Sequence, residues 1–391
     1  MMRRFLLKRL LKKYKPELVA VFGVYGREEA REAICTVLAP HAPAFSHKSE
    51  GTIGALVKHT GFVNIIRGQF FSISFPHFIV IDTIGADSDF SILKNILPIG
   101  LAVVMPMGDI PIKNQVFAGS REPLHLIKKA IEQAIDGLLV HDDETVRELS
   151  DRAHTRYRTF GFDEHADLRI ISAKPQLSIH TSGVDGATIF EVEFHNQKQK
   201  AVLKNTLGKR NIYAGVAALG AALRFGVELT TAAQDLSAYI APTHSLRITE
   251  GIKRTAILSH IGGVAPFSAR EALELMGFFR RDGQIKRSVA IIGDIIMHQD
   301  AEYFEGLHRA LGEFTAQNVD TLFLAGERVV FLEDEAKKHG MPDENIRRFD
   351  TVAEAAREAQ NFIASHDGML IMGSAPMRME DAVRELEFIS A

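Results

Sequence analysis

The sequence predicts an α/β protein with two successive domains, each built on a mostly parallel sheet with helices packed on it. Short, continuously apolar runs recur along residues 18–240 and alternate with helical stretches, and the same alternation returns after Pro242. Such runs are typical of strands that are buried on both faces, as parallel strands are. The turn Gly23-Val-Tyr-Gly26 joins the first apolar run to a helical stretch, which is how many nucleotide-binding α/β domains begin.

The elements of the first domain follow from these runs. Strands are predicted at residues 18–22, 78–81, 101–105 and 138–140, and helices at residues 27–38, 124–135 and 211–225. Residues 169–202 form short alternating segments instead, which predicts an antiparallel appendage on this domain. Further strands at residues 255–258, 289–292, 321–324 and 369–372 predict a second α/β domain. We therefore place the domains at residues 17–240 and 241–391.

Residues 1–16 differ from both domains in charge. They contain seven basic and no acidic side chains, with apolar residues at helical spacing, so a basic amphipathic helix that ends at Pro16 is predicted. In one interpretation residues 3–15 contact an anionic membrane surface. In the other, the leucines pack on the first domain and the lysines stay in solvent. We favour packing, because the apolar face is only about two turns long and lacks Trp.

Composition excludes several classes of protein. The chain has 391 residues, of which 46% are hydrophobic and 24% charged, and this balance is that of a folded globular protein. The net charge of −3 gives no general attraction to nucleic acid. The single cysteine, Cys35, cannot form an intramolecular disulfide, and together with the lack of a recognisable signal sequence it predicts a cytoplasmic protein, peripheral to the membrane if the first helix binds lipid. The histidines show no metal-ligand spacing, so no metal site is predicted.

The loop at residues 23–26 occupies the place of a P-loop but has little of its chemistry. A P-loop needs backbone N–H groups around the phosphates, a Lys that reaches the β- and γ-phosphates, and a Ser or Thr hydroxyl on Mg²⁺. Of these features only the glycines, Gly23 and Gly26, are present, and Arg27, Glu28 and Glu29 follow them. The loop by itself is weak evidence for nucleotide binding.

Three further motifs occur in order along the chain. They are Gly208-Lys-Arg-Asn-Ile-Tyr-Ala-Gly-Val-Ala-Ala218, then Gly293-Asp294 followed by Leu307-His308, and then Gly373-Ser-Ala-Pro-Met-Arg378. In order and spacing, residues 17–391 resemble the Mur ligase family, most closely its D-alanyl-D-alanine-adding branch. The resemblance implies a P-loop-like central domain followed by a smaller Rossmann-like C-terminal domain. It also implies that the family's first, UDP-sugar-binding domain is absent, because the central domain begins near residue 17.

The departures from the family pattern fall where the chemistry would be. The Lys of the family's loop G-x-x-G-K-T-[ST] is Arg27 here, and its two hydroxyl residues are Glu28 and Glu29. The family's D-D-x-Y-N-A-N-P becomes residues 259–266, where only the proline remains, and a family Arg becomes Ser245. The metal-linked His of the family is missing from residues 106–111.

Some family positions are retained. Lys128 matches the carbamylated lysine, although Ala130 replaces the acid two positions later; Asn211 matches the adenine-side asparagine, although the neighbouring His has become Arg210; and Asp142-Asp143 resembles an N-x-D-D segment near the nucleotide. Together with Gly23, Gly26, Arg27 and Glu28, Asn211 and Asp143 would form a degenerate nucleotide site. Each retained residue also has a structural interpretation, as a solvated helix lysine, a helix-start asparagine or a turn aspartate.

Two functions are consistent with these residues. The first is a catalytically inactive Mur-ligase homologue with a protein partner or a regulatory role in peptidoglycan precursor synthesis, for which no cofactor is expected. The alternative is an active ATP-dependent ligase that joins a carboxylate to an amine with ATP and Mg²⁺ in a rebuilt site, with Arg27 on the phosphates and Glu28 on the metal.

Overall fold

The structure is a computed structural model of the chain. It describes residues 2–48, 51–59, 75–83, 87–107, 122–150, 156–262, 264, 266–295 and 301–388, with the side chains of residues 2–6, 57, 59, 122, 123, 150, 266 and 301–304 left out. Several positions discussed above, namely residues 108–111, Gly263, Ala265 and the side chains of Arg3, Arg4 and Leu6, lie outside the described part.

The chain divides into two compact units. The first contains Met1–Ala173, Phe190–Leu203 and Lys209–Ile240, and the second contains Lys174–Ile189, Lys204–Gly208 and Ala241–Ala391. The second unit therefore includes two short stretches that precede residue 240, which the sequence alone does not indicate. The α/β fold class predicted for both domains is confirmed, with largely parallel sheets.

The first unit is built on a nine-stranded sheet in the order β2-β3-β1-β4-β5-β6-β7-β8-β9. Its elements, including strands shared with the second unit, are α1 (Met2–Tyr14), β1 (Glu17–Phe22), α2 (Arg27–Leu38), β2 (Ala44–Lys48), α3 (Thr52–His59), β3 (Phe78–Asp82), α4 (Ser88–Lys94), β4 (Ile99–Val104), α5 (Glu122–Gln133), β5 (Ala134–Val140), α6 (Glu144–Ser150), β6 (Tyr157–Gly161), β7 (Leu168–His180), β8 (Gly183–Phe194), β9 (Gln197–Lys204), α7 (Lys209–Arg224) and α8 (Leu229–Leu236).

Strand β1 lies inside this sheet, between β3 and β4, and pairs with both in parallel. Its residues 18–22 are fully buried, which explains the continuous apolar run. The carboxyl ends of β1, β3, β4 and β5 lie at one edge of the sheet, since these strands are parallel. That edge is where open α/β sheets bind ligands.

The antiparallel segment continues the same sheet and does not form a separate appendage. Two-residue connections join β7 to β8 and β8 to β9, so these strands form hairpins. At the second connection His195 and Asn196 have φ of 50° and 64°, the positive values of a type I′ turn. Glycine is common at such positions, and Asn tolerates them.

One predicted helix end is wrong. The helix predicted at residues 124–135 ends at Gln133, and β5 begins at Ala134. Ala134 pairs with Ile99 of β4, and Ile135 is 53% exposed. Pairing with a neighbouring strand thus overrides helical periodicity at the last two predicted positions.

The second unit has a six-stranded sheet in the order β10-β11-β15-β12-β13-β14. Its elements are β10 (Arg247–Gly251), β11 (Thr255–Gly262), α9 (Pro266–Arg281), β12 (Ser288–Gly293), α10 (Ala301–Asn318), β13 (Thr321–Ala325), α11 (Val329–Lys338), β14 (Ile346–Phe349), α12 (Val352–Phe362), β15 (Gly368–Ser374) and α13 (Met379–Leu386). All pairs are parallel except β10 with β11. Two apolar clusters of buried side chains cover the two faces of the sheet.

Candidate functional site

The two glycines of the β1–α2 loop are both required by close packing. Gly23 has φ 122°, and a Cβ there would lie 2.7 Å from the carbonyl oxygen of Met105. Gly26 has φ 84°, and a Cβ there would lie 3.0 Å from Cγ of Arg210. The strand-glycine-helix turn therefore has a structural reason in this chain, independent of any phosphate.

The backbone of this loop donates hydrogen bonds to the end of β4. The N–H groups of Val24 and Tyr25 both donate to the carbonyl of Pro106, at 3.1 and 2.9 Å. In a P-loop, backbone N–H groups at this place surround the phosphates. Here two of them already have an acceptor within the protein.

Arg27, at the position of the P-loop lysine, binds a carboxylate. Its Nε lies 3.2 Å from Oδ2 of Asp82, and its Nη1 donates to the carbonyl of Gly23 at 3.2 Å. Asp82 ends β3 next to β1 and is buried, and Arg31 lies 3.1 Å from its other oxygen. Two guanidinium groups of α2 thus neutralise one buried carboxylate.

Glu28 and Glu29 occupy different environments although they are adjacent. The Glu29 side chain is 3% exposed, and its Oε1 lies 3.3 Å from Nη1 of Arg210 on α7. The Arg210 guanidinium also lies over the Tyr25 ring, 4.8 Å from its centroid. The Glu28 side chain is 45% exposed and lies 3.5 Å from Arg31. Both carboxylates lie in the first turn of α2, where negative charge interacts favourably with the helix dipole.

Asn211 follows Arg210 in α7 and is buried. Its Oδ1 accepts a hydrogen bond from the Tyr239 hydroxyl at 3.2 Å. Burial raises the pKa of the Tyr239 phenol well above its ordinary value, and the negative charges of Glu29 and Glu32 add to the shift. Tyr239 therefore remains a neutral donor, and it holds the Asn211 amide inside the first unit.

Asp142 and Asp143 order the loops after β5. Asp143 accepts from the N–H of Val146 at 3.1 Å, which caps α6, and from the N–H of Met107 at 2.8 Å. Asp142 accepts from the Tyr213 hydroxyl at 2.6 Å and from two backbone N–H groups at 2.7 Å. The pair therefore follows the turn-aspartate pattern, and Asp143 is tied to the same segment after β4 that accepts bonds from the loop.

Lys128 lies on α5 in an ion pair within the helix. Its Nζ is 3.8 Å from Oε1 of Glu132, one turn away, and both side chains are partly exposed at 34% and 41%. Ala130, which replaces the family's acid, is buried. This is the geometry of an ordinary surface pair on a helix.

Comparisons with known proteins agree on one family, although no family model matches the chain. The UDP-N-acetylmuramoyl-tripeptide–D-alanyl-D-alanine ligase of Bacillus subtilis is 22% identical over 308 residues, which are 77% of this chain and 62% of the ligase. The solved structure of MurF from Acinetobacter baumannii has a TM-score of 0.73 at 17% identity, covering 97% of this chain and 78% of that one. MurF from Thermotoga maritima in complex with ADP gives 0.72 at 17% identity, with coverage of 98% and 82%.

The chain has the Mur ligase fold. The family resemblance predicted from the motifs is confirmed, and the chain is MurF-like. The match to the curated ligase covers 62% of that protein, which is less than two thirds of its length.

The motifs of the second unit have structural roles within this Mur ligase fold. Asp294, at the end of β12, accepts hydrogen bonds from the N–H groups of Glu327, Arg328 and Val329 at 2.9–3.2 Å and so caps α11. The buried His308 accepts from the N–H of Ile295 at 3.2 Å through Nε2.

The replaced segment at residues 259–266 is also buried where it is described. Ser259 and His260 stand at the positions of two family aspartates and are 6% and 1% exposed. The His260 ring makes a 2.7 Å hydrogen bond through Nε2 with the Ser268 hydroxyl, and its Nδ1 lies 3.4 Å from the His244 carbonyl. Ser245, at the position of a family arginine, is fully buried.

Sequence reasoning missed two residues at the loop, Asp82 and Arg31. An acidic residue directly after an apolar strand beside the P-loop strand is the position of the Asp that holds Mg²⁺ in P-loop NTPases. Asp82 follows the predicted strand at residues 78–81 and could have been found by that signal. Its arginine partners could not, since they lie more than 50 residues away in sequence.

The residues at the loop do not fit a Mg²⁺-nucleotide. The carboxylate placed to hold the metal is bound by Arg27 and Arg31, two loop N–H groups bind Pro106, and Glu28 and Glu29 bring negative charge to the phosphate end. Among the described residues, no group of three or more His, Cys, Asp or Glu side chains could hold a metal ion.

Proposed function

We propose that this chain is a catalytically inactive Mur-ligase homologue that acts through its surfaces, as a partner or regulator in peptidoglycan precursor synthesis. The observation that carries the proposal is the ion pair between Arg27 and Asp82. In a P-loop enzyme these two positions bind the nucleotide phosphates and Mg²⁺ respectively. Here they bind each other.

The electrostatic repulsion between the loop carboxylates and a bound phosphate supports weak nucleotide binding. A carboxylate about 4 Å from a phosphate oxygen costs about 4 kcal/mol at an effective dielectric constant near 20. That free energy corresponds to several hundredfold in affinity, because about 1.4 kcal/mol is tenfold. Because the Glu28 side chain is exposed to solvent, its contribution to this electrostatic cost is smaller. A nucleotide would in addition have to separate Arg27 from Asp82 and the loop from Pro106.

The alternative, an active ligase with a rebuilt site, is supported by the exposure of Glu28 at the start of α2. A carboxylate there is of the kind that binds Mg²⁺. Under this alternative Arg27 would leave Asp82 and bind the phosphates.

An assay of ATP turnover distinguishes the inactive homologue from the active ligase. The chain is mixed with Mg-ATP, a UDP-N-acetylmuramoyl-tripeptide and D-alanyl-D-alanine, and the release of ADP is followed beside an active MurF. We expect no ADP above the enzyme-free blank. ADP release that requires both the peptide and the dipeptide would contradict inactivity and support the rebuilt ligase.

The regulatory part of the proposal needs a separate assay. The chain is added in increasing amounts to an active MurF-type ligase, and the ligase's initial rate is measured. We expect a saturable change in that rate. A rate that stays constant up to a large excess of the chain would contradict regulation of this step.

A further inference from the structure

The N-terminal helix α1 is strongly basic, whereas the rest of the chain has a negative net charge. Residues 1–15 contribute +7, and because the whole chain carries −3, the remainder carries −10. The helix extends over Met2–Tyr14, with basic residues also in its last turn. No helix among the described residues is long and apolar enough to cross a membrane.

The leucine stripe of α1 is occupied within the first unit. Leu7 is 3% exposed and Leu11 is fully buried, so both side chains pack in the fold. Leu10 is partly exposed. Two of the three leucines whose side chains are described are therefore already covered, which agrees with the packing that the sequence favours.

The opposite side of α1 is a row of cations. Lys8, Arg9, Lys12 and Lys13 are all exposed. At about 100° per residue these four side chains fall within an arc of about 140°. A single flat surface can thus approach all of them at once. We call this set the cationic face.

An aromatic side chain lies in the last turn of α1, on the side of the leucine stripe. At about 100° per residue Tyr14 falls about 100° beyond Lys13, between Leu10 and Leu7. The Tyr14 ring is 42% exposed, stacks on Phe75 with centroids 4.9 Å apart, and lies 5.2 Å from Nζ of Lys13. Tyr14 therefore belongs to the packed side of the helix. On the cationic face, the lysine stems can lie along a membrane–water interface while their charges stay in water.

We propose that the cationic face docks this protein on anionic phospholipid headgroups by charge alone, without insertion of α1. The sequence presents packing and membrane contact as alternatives. In this proposal the leucine side of α1 packs on the fold and the cationic face contacts the membrane. The inference is independent of whether the chain binds nucleotide.

The composition of the helix favours lipid over nucleic acid. Asn and Gln, the side chains that pair with adenine edges, are absent from residues 2–15, so any base readout there would rest on arginine and lysine alone. The negative remainder of the chain repels a long polyanion that extends past the helix. A planar headgroup layer attracts the exposed cationic face within the screening length of about 8–10 Å at moderate salt.

Vesicle sedimentation of the full chain tests the proposal. Phosphatidylcholine vesicles with and without phosphatidylglycerol are compared at about 0.1 M and about 1 M NaCl. We expect binding only to the vesicles that contain phosphatidylglycerol, and its loss at the higher salt. Each cation near an anionic surface contributes about fivefold to the affinity.

Matched variants locate the surface. The triple variant Lys8→Gln, Lys12→Gln, Lys13→Gln keeps good helix formers and should weaken binding on the order of a hundredfold. The control, Lys198→Gln, Lys200→Gln, Lys204→Gln, changes three exposed lysines at β9 and removes the same charge. It should bind nearly as the unchanged protein does. Both variants should melt close to the unchanged protein, since the substituted side chains are exposed.

Four outcomes would overturn the proposal. They are no binding to phosphatidylglycerol vesicles, binding that persists at the higher salt, equal loss in the control variant, and tighter binding to duplex DNA than to the anionic vesicles under the same conditions. Salt-resistant binding would mean that α1 inserts, and preference for DNA would mean a nucleic-acid surface.

Discussion

At the scale of single residues, Glu28 and Glu29 show how one pair of replacements acquires two roles. Both stand where the family's loop has hydroxyl residues. Glu29 turns inward to Arg210 of α7, whereas Glu28 stays about half exposed. The loss of the hydroxyls is therefore accompanied by a buried ion pair between two helices of the first unit.

Glu29→Gln should lower the free energy of unfolding by about 3 kcal/mol, because it removes the buried carboxylate that pairs with the nearly buried Arg210. Glu28→Gln is the matched control and should cost less than about 0.5 kcal/mol, since that side chain is exposed. Urea unfolding of both variants measures the difference. Equal stabilities would show that the Glu29–Arg210 pair contributes little.

Cys35, on α2, should be unreactive in the native protein. Burial raises the pKa of its thiol from 9.0 to about 11, with a smaller contribution from Glu32. Below pH 9 the thiolate fraction is then about a hundredfold lower than in the unfolded chain, and alkylation slows in proportion. Labelling with iodoacetamide at pH 8, with and without denaturant, checks this. Equally fast labelling in both conditions would contradict the raised pKa of this partly buried thiol.

The sequence predicted which site residues had changed but not what replaced their interactions. The exchange of the P-loop lysine for Arg27 can be read directly, since Arg27 directly follows Gly26 in a recognisable motif. Its partner Asp82 is 55 positions away, and Pro106 accepts bonds through its backbone, which any residue could do. Pairing of this kind depends on how strands are ordered in the sheet, and periodicity carries no information about it.

At the scale of elements, aspartates that follow strands cap helices in both units. Asp143 directly precedes α6 and caps it locally, whereas Asp294 directly follows β12 and caps the distant helix α11. Gly326 precedes α11 with φ 131°, and a Cβ there would lie 2.6 Å from Cγ of Asp294. Retention of the Gly293-Asp294 motif is thus explained by the packing of this turn.

Asp294→Ala should lower the free energy of unfolding of the second unit by about 2–4 kcal/mol, because three backbone N–H groups lose one acceptor. Thr351→Ala is the control for an ordinary cap. Thr351 accepts a single bond, from the N–H of Glu354 at the start of α12, and its removal should cost about 1 kcal/mol. Circular dichroism during urea unfolding gives both values. A smaller loss for Asp294→Ala than for Thr351→Ala would contradict the triple cap.

Elements were predicted well where burial alone decides them. Strand β1 and helix α7 were found within two residues of their ends, since one is continuously apolar and the other is rich in alanine and buried over 12 residues. The boundary of α5 and β5 was missed, because Ala134 and Ile135 satisfy helical periodicity and only the ladder with β4 makes them a strand. Strand β2, Ala44–Lys48, is short and half-exposed, and its sequence shows no strand signal.

At the scale of the whole molecule, the fold has been retained while the catalytic positions have changed. Structural similarity to MurF covers 97% of the chain, and it persists although the loop, residues 259–266 and Ser245 all depart from the family pattern. Among the replacements, Glu29, Ser245, Ser259 and His260 are buried, whereas Glu28 is about half exposed.

The central claim is that the β1–α2 loop binds the chain's own groups in place of a nucleotide. Isothermal titration of Mg-ATP into the full chain, with an active Mur ligase titrated in the same buffer as the positive control, tests it most directly. We predict no binding heat at millimolar ATP, since Asp82 holds Arg27 and Pro106 holds the loop N–H groups. A Mg²⁺-dependent dissociation constant in the micromolar range, about −8 kcal/mol of binding free energy, would contradict the account.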